Sequence, residues 1–532
     1  MKKSKFNIIL PLLLAVFLIG GMLIGNQLNK ISEPNEFAIY PRMNKISGVI
    51  DYISQEYVDS IDRNKLIERT IPEILGQLDP HSIYIPASEV AEYNEPLEGN
   101  FSGIGVSFNM QEDTVYIMST ILNGPSEKIG ILAGDRIIRV NDSLIAGVNM
   151  VSTDIVKMLK GKKGTRVIVT IVRRGIEEPL DFEITRDRIP IASVDIGYML
   201  TDDIGFIKIS KFSRSTQKEF IDAVEKLNDQ GMQKLILDLR YNSGGYLNAA
   251  TELADHFLAA GTPIVYTEGY AQPRKDILAT SQGDLLDHDV IILIDEYSAS
   301  ASEILAGAIQ DNDRGLIIGR RSFGKGLVQQ QTMFSDGSAL RLTIARYYTP
   351  TGRSIQKPYE NGLDDYLNEL HKRFDHGEFI YADSITFADS LKYLTPGGKT
   401  VYGGGGIMPD IFVPVDTSLY TDYYNQVWSR GLLYRFAFKY ADKNRSNLDG
   451  LEDYQEMLEY LDSQDLLGQF IAFAEENGIQ ENNEEIILSQ QVILISMKAF
   501  IARFILDNEG YYPIIHQIDP TIQKSLEIFT QI

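Results

Sequence analysis

Three serines share one short turn: Ser298, Ser300 and Ser302 in Tyr297-Ser298-Ala299-Ser300-Ala301-Ser302-Glu303. The turn follows a very apolar run, Val290 to Ile294, and precedes a helical pattern from Ile304 to Ile309. That order reads strand, small-residue turn, helix. A serine there sits at a helix N-terminus, where unbonded backbone N–H groups and the helix dipole favour a developing negative charge. Downstream, Lys325 lies between Gly324 and Gly326, where backbone can approach it closely. A serine nucleophile needs a base, and a desolvated lysine is one of the few alternatives to histidine. Together the turn and the lysine would make the chain a hydrolase.

The elements around them must bring the two together. From 190 to about 358 the pattern alternates strand and helix: Ile204 to Ile209, a helix over 215–227, the apolar run Leu235 to Leu239, a helix over 247–258, then the serine strand and a strand at 316–319. Such alternation predicts an α/β layered core. The run Leu235 to Leu239 leads into Arg240-Tyr241-Asn242-Ser243-Gly244-Gly245, a second glycine turn. The quartet Gly403 to Gly406 lacks the Lys-Ser/Thr of a phosphate loop and reads as structural. Upstream, Ile46, Val49, Ile50, Ile53 and Tyr57 recur at helical spacing, and Asp62 is placed to cap a second helix. Leu78-Asp79-Pro80-His81-Ser82 breaks that pattern, and His81 reads as a turn residue packing locally. Residues 100–186 change to short β runs with glycine turns. Residues 416–532 are helical, acidic and aromatic-rich. Tyr420, Tyr423, Tyr424, Trp428, Leu432, Leu433, Tyr434 and Phe436 read as a buried face of a packing or oligomerisation element. Residues 359–396 look like an insertion.

The 532 residues predict several domains, and 44% apolar content suits a folded chain. A net charge of −23 with no basic clustering argues against a nucleic-acid surface. No cysteine is present, which excludes disulfides, thiol catalysis and cysteine metal sites. Lys2, Lys3 and Lys5 precede an apolar run from Ile8 to Gly25, just long enough to span a bilayer and without a small-residue cleavage site after it. This predicts a signal anchor within residues 1–30, a removed signal peptide being the alternative. The bulk of the chain would then be periplasmic or otherwise extracytoplasmic, held at the inner membrane.

Several of these stretches resemble one family, the carboxyl-terminal processing peptidases or tail-specific proteases. They are the helical prefix ending in Leu-Asp-Pro-His-Ser, the glycine-turn β region, Leu237 to Gly245, Ser298 to Glu303, and Phe323-Gly324-Lys325-Gly326-Leu327-Val328-Gln329. The β region resembles a circularly arranged PDZ domain. Its loop Gly103-Ile104-Gly105-Val106 would aim backbone N–H groups at a peptide carboxylate, and the strand after it would accept a tail by strand addition. The resemblance covers about 40–415. It implies a helical N-terminal region (36–98), a PDZ domain (99–187), a crotonase-like (ClpP-like) α/β protease core (188–358 and 397–415), the insertion (359–396) and a helical C-terminal extension (416–532). It also implies Ser300 as nucleophile, Lys325 as base and Gln329 as the neutral residue orienting the lysine. The oxyanion hole would use the N–H of Ala301 and of the Gly244-Gly245 turn, with the family pattern favouring Gly244. Ser298 and Ser302 read as capping and packing residues. No cofactor or metal is implied. The partners would be proteins with free, apolar C-termini, the membrane, and a second copy of the chain. Two other functions fit less of the sequence: a non-catalytic tail-binding scaffold, and a crotonase-like acyl-CoA enzyme.

Overall fold

The computed structural model describes residues 19–22, 44–280, 283–385 and 389–531. The membrane-anchor expectation rests mostly outside them, only the short helical stretch 19–22 being described. The chain divides into two units, Met1–Leu78 and Asp79–Ile532. In the first, helices Lys45–Glu56 and Arg63–Leu75 are described. Asp62 caps the second, accepting from the N–H groups of Asn64 and Lys65 as its position in the sequence predicts.

In the second unit, a six-stranded sheet runs Val194–Met199, Ile204–Ile209, Lys234–Asp238, Asp289–Ile294, Leu316–Gly319, Ile411–Phe412. Its first pair is antiparallel and the rest are parallel. Ile204–Ile209 is buried along its whole length, Lys208 included, because both faces of the sheet are covered. One face packs on helices Thr216–Asp229, Leu247–Asp255 and Ala301–Asp311 through Phe220, Leu253 and Leu305. The other carries Phe206, Ile236, Ile291 and Leu293 against Ile522, Ile528 and Phe529 of the last helix, Pro520–Gln531. A second, antiparallel sheet holds Ile83–Ile85, Ala339–Tyr348, Pro263–Glu268 and Lys275–Leu278, with Leu327–Met333 paired along Ala339–Tyr348.

The PDZ-like sheet orders Val106–Gln111, Thr114–Thr120, Arg136–Val140, Arg166–Val172 and Leu180–Thr185. Val167, Val169 and Ile171 turn inward while the residues between them are exposed or half-buried, the period of a half-buried strand. Val106–Gln111 is an edge strand, paired among the described residues only with Thr114–Thr120. Val106 and Phe108 pack on the cluster that contains Ile155 and Leu159 of helix Ser152–Leu159. A two-stranded ribbon, Asn100–Gly103 with Asp187–Pro190, carries the chain into and out of this domain.

The C-terminal helices enclose their own core. Tyr423, Leu432, Leu433 and Phe436 meet Phe470, Ile493, Met497 and Ile501. Tyr424 is buried too, but Tyr420 and Trp428 stand 41% and 52% exposed, stacked on either side of it, so the predicted buried face is only partly buried. The helix Asn483–Ile515 contains a window apolar enough to cross a membrane, half of it buried in this core. Non-helical geometry at Asp507 divides the helix in two.

Candidate active site

Ser300 ends the loop that follows strand Asp289–Ile294 and precedes helix Ala301–Asp311. Its φ is +56° and its ψ −111°, a strained conformation for a residue with a side chain, costing on the order of 1–3 kcal/mol. Neighbours hold it there. Asp295 Oδ1 accepts the N–H groups of Tyr241, Tyr297 and Ser298. Ser298 Oγ donates to Leu239 O at 2.9 Å, and Ser302 Oγ to Asn242 O at 2.8 Å. Both of those hydroxyls are buried and committed to backbone, whereas Ser300 lines an open cleft of about 670 Å³. Lys325, Gln329, Gly244 and Gly245 line the same cleft, joined by His81, Lys211, Arg341 and Tyr347.

Two buried side chains tie the serine turn to the lysine loop. Glu303 Oε2 accepts the N–H of Ser300 at 2.8 Å and of Lys325 at 2.9 Å. Its Oε1 accepts Gly324 N–H at 2.7 Å and Ser322 Oγ at 2.5 Å. Burial pushes this carboxyl up from its ordinary value, opposed by those four hydrogen bonds. The Tyr347 hydroxyl reaches the carbonyls of the same two residues, Lys325 O at 2.7 Å and Ser300 O at 3.1 Å. Glu303 is therefore more than a first-turn acid placed for the helix dipole. Its spacing after Ser300 is the one sequence signal for this role, and nothing in the sequence marks Tyr347.

Burial pulls the Lys325 ammonium below its ordinary value, and the nearby Arg341 charge adds to the effect; Glu303 and Asp79 oppose it. Among the described residues its amine has no hydrogen-bond or ion-pair partner. Gln329 is not bonded to it. A register shift between Val328 and Gln329 sets Gln329 opposite Thr343, to whose Oγ1 it donates at 3.2 Å. Thr343 Oγ1 in turn donates to Asp79 Oδ1 at 3.1 Å. The Asp79-Pro80-His81-Ser82 turn is thus part of the cleft wall. His81 does not merely pack locally: its Nε2 lies 2.7 Å from the Tyr366 hydroxyl, and burial, with the Lys325 charge second, lowers it to about 4. Tyr366 belongs to helix Leu363–Asp375 in the 359–396 segment. That helix also braces the lysine loop, Arg373 donating to Arg321 O and Ser322 O.

The Gly244 amide is already used, donating to Asn242 Oδ1 at 2.9 Å, so the preference for Gly244 as oxyanion donor meets an occupied N–H. A Cβ on Gly244 would stand 2.8 Å from Ser300 Cβ and 2.7 Å from Ala299 O, so glycine there provides clearance for the serine turn. The parallel bridge between Phe212 and Gly245 uses Gly244 O and Tyr246 N, turning the Gly245 N–H to the other side. The amides of Gly245 and Ala301 have no partner among the described residues. Gly103, Ile104, Gly105 and Val106 lie at the PDZ-like sheet and not in the cleft lining. There, Ile104 and Gly105 carry N–H groups without partners among the described residues, while their carbonyls accept Ser126 N and Ile121 N. Among the described residues no cluster of three or more His, Asp or Glu is arranged to hold a metal.

Comparison with known proteins agrees with this architecture. The profile of peptidase family S41 matches residues 203–364, a PDZ domain profile matches 102–184, and a family of unknown function matches 423–507. The chain is 36% identical over 350 residues to a carboxy-terminal-processing protease of Bartonella bacilliformis, covering 64% of this chain and 80% of that one. It is 35% identical over 318 residues to carboxy-terminal processing protease CtpB of Bacillus subtilis, covering 59% and 66%. Among solved structures, the photosystem II D1 C-terminal processing protease aligns at 24% identity and TM-score 0.38, over 71% of this chain and 88% of that one. The chain belongs to peptidase family S41, as a PDZ-bearing serine peptidase of the carboxy-terminal-processing kind.

Proposed function

We propose that the protein is an exported endopeptidase that captures the C-terminal tail of a substrate protein on its PDZ domain and cleaves with a Ser300–Lys325 dyad. The observation that carries this reading is the double tie of Glu303 and Tyr347, which fixes the backbones of Ser300 and Lys325 side by side on one cleft. Ser300 Oγ attacks the scissile carbonyl carbon, and its proton passes to Lys325 Nζ. The amine can accept it because burial disfavours the ammonium. The tetrahedral oxyanion takes the N–H of Ala301 and of Gly245, with Gly244 keeping the approach clear. Lys325 then protonates the leaving amine, and water hydrolyses the acyl-enzyme by the reverse steps. Gln329 acts at one remove, anchoring the strand after Lys325 to Thr343 and Asp79.

Tail capture rests on the Ile104 and Gly105 amides and on the open edge of Val106–Gln111. Export, with residues 1–30 as anchor, rests on the lysines before the Ile8–Gly25 run. Purified protein should digest casein, and Ser300→Ala should lower that rate by at least about a thousandfold while leaving the fold intact. Digestion that persists in Ser300→Ala removes the dyad. Amidating a substrate's C-terminus should weaken its capture; cleavage that ignores amidation removes the PDZ role. Protease added to spheroplasts, with the cytoplasmic membrane intact, should degrade the chain if it is exported and spare a cytoplasmic marker.

A further inference from the structure

Most buried cations of this protein are matched by carboxylates. Arg353 meets Asp311 at 2.6 Å, Arg320 meets Glu296 at 2.7 Å, Arg321 and Arg373 share Glu378, Lys357 meets Glu369, and Lys208 and Arg240 share Asp238. The pattern has a physical cause, since a charge taken out of water is costly unless an opposite charge compensates it. Besides Lys325, two half-buried cations on the cleft wall break it. Lys211, just past strand Ile204–Ile209, has no hydrogen-bond or ion-pair partner for its ammonium among the described residues, and burial lowers it from its ordinary value. The acids that act on it, Asp195 and Glu219, are engaged elsewhere. Asp195 accepts from Ser210 and Tyr512, and Glu219 from the amides of Ser193 and Val194. Arg341, on strand Ala339–Tyr348, is held by neutral amides, Gln331 Oε1 at 2.9 Å and Asn94 Oδ1 at 3.3 Å. It too is lowered by burial. The third cation of the lining besides Lys325, Arg214, is exposed and paired with Glu98 at 3.0 Å.

We propose that Lys211 and Arg341, each unmatched by a carboxylate on the wall of the cleft, make the enzyme select substrates that bring a carboxylate into it. The proposal rests on the cleft being the peptidase site. The carboxylate has two possible sources with the same chemistry, an Asp or Glu side chain or the chain's own C-terminus. A substrate carboxylate that reaches either cation gains charge-assisted hydrogen bonds in a partly desolvated setting.

The test uses the full-length protein and matched fluorogenic peptides carrying Glu or Gln beside the cleaved bond, each with a free or an amidated C-terminus. The reading is the kcat/KM ratio between charged and neutral peptides within one variant, so that any general loss of rate cancels. Wild type should prefer the charged peptide by about tenfold or more. Lys211→Gln should bring that ratio towards one, Lys211→Arg should retain it, and Lys211→Glu should invert it towards a Lys-bearing peptide. A lost Glu/Gln ratio identifies the side chain as the source, and a lost free/amidated ratio identifies the C-terminus. Equal rates for charged and neutral peptides in wild type, or a ratio unchanged in both Lys211→Gln and Arg341→Gln, overturn this selection. Cleavage of the neutral amidated peptide by wild type but not by Ser300→Ala upholds the peptidase site independently, so the carboxylate selection can fail alone.

Discussion

In the proposed dyad, Ser300 and Lys325 can act together only while the amine is neutral and the hydroxyl is within its reach. Activity should therefore follow Lys325: low where the amine is protonated, rising with pH as it loses its proton, with a midpoint below the ordinary 10.5. Arg341→Gln removes a positive charge that helps to lower that midpoint, so the limb should move to higher pH in a kcat/KM profile. Lys325→Arg should be inactive at every pH, because a guanidinium does not give up its proton. His81, pulled down to about 4, is neutral wherever the lysine can act and adds no competing charge. Glu303→Gln replaces one acceptor oxygen by an NH2 group facing donors. It should cost about 2–3 kcal/mol of stability in urea unfolding and lower kcat more than it raises KM, because the tie sets the position of the reacting groups rather than substrate affinity.

The sequence placed the serine turn and the lysine loop on separate elements, and the elements that join them were less legible. Glu303 could be seen as a first-turn acid, but the two amides it gathers across the fold could not. The role of the 359–396 segment was not legible either. Helix Leu363–Asp375 reaches His81 through Tyr366 and the lysine loop through Arg373, contacts between residues far apart in the chain. The last helices raise a similar point. His516 sits 2.7 Å from the Tyr198 hydroxyl of the central sheet, with Asp519, Arg240, Asp238 and Lys208 around it. Burial lowers it to about 4 from an ordinary 6.5. Between those values the unfolded chain binds more protons, so stability is full above pH 6.5 and falls as the pH drops towards 4, by about 3 kcal/mol. Urea midpoints at pH 7 and 4.5 should differ in wild type and differ less in His516→Gln, whose amide can still pair with Tyr198, His81 keeping part of the dependence.

The helical C-terminal part connects two other parts of the Asp79–Ile532 unit. Towards the sheet it offers Ile522 and Phe529, the Arg240–Asp519 ion pair at 2.8 Å, and Asn508 on Asp195 O. Towards the PDZ domain it offers Phe438 edge-on to Tyr116, Lys439 to Glu112 at 2.9 Å, and Asp442 O to Arg174. The PDZ domain is also tied by the two-stranded ribbon through which the chain enters and leaves it and by the ion pair of Lys160 with Glu95 on helix Val90–Glu98. We expect the contact with the C-terminal helices to limit how far the domain can swing. Phe438→Ala should speed amide exchange in Thr114–Thr120 while leaving the central strand Ile204–Ile209 protected. Equal exchange in both proteins would show that the C-terminal helices do not set the domain's position.

The amino-acid sequence alone decided the family, the PDZ domain, the layered α/β core, and which serine and lysine to examine. The core depends on local pattern, apolar runs and glycine turns, whereas Ser300 and Lys325 as a pair are what the family resemblance implies. It could not decide which glycine amide is unbonded, whether Gln329 touches the lysine, or that His81, Tyr347, Lys211 and Arg341 share the cleft. Each of those depends on where hydrogen bonds and charges end up after distant strands have paired. Gly244 and Gly245 are indistinguishable as letters, and only the pairing of Asn242 and Phe212 with that turn separates them.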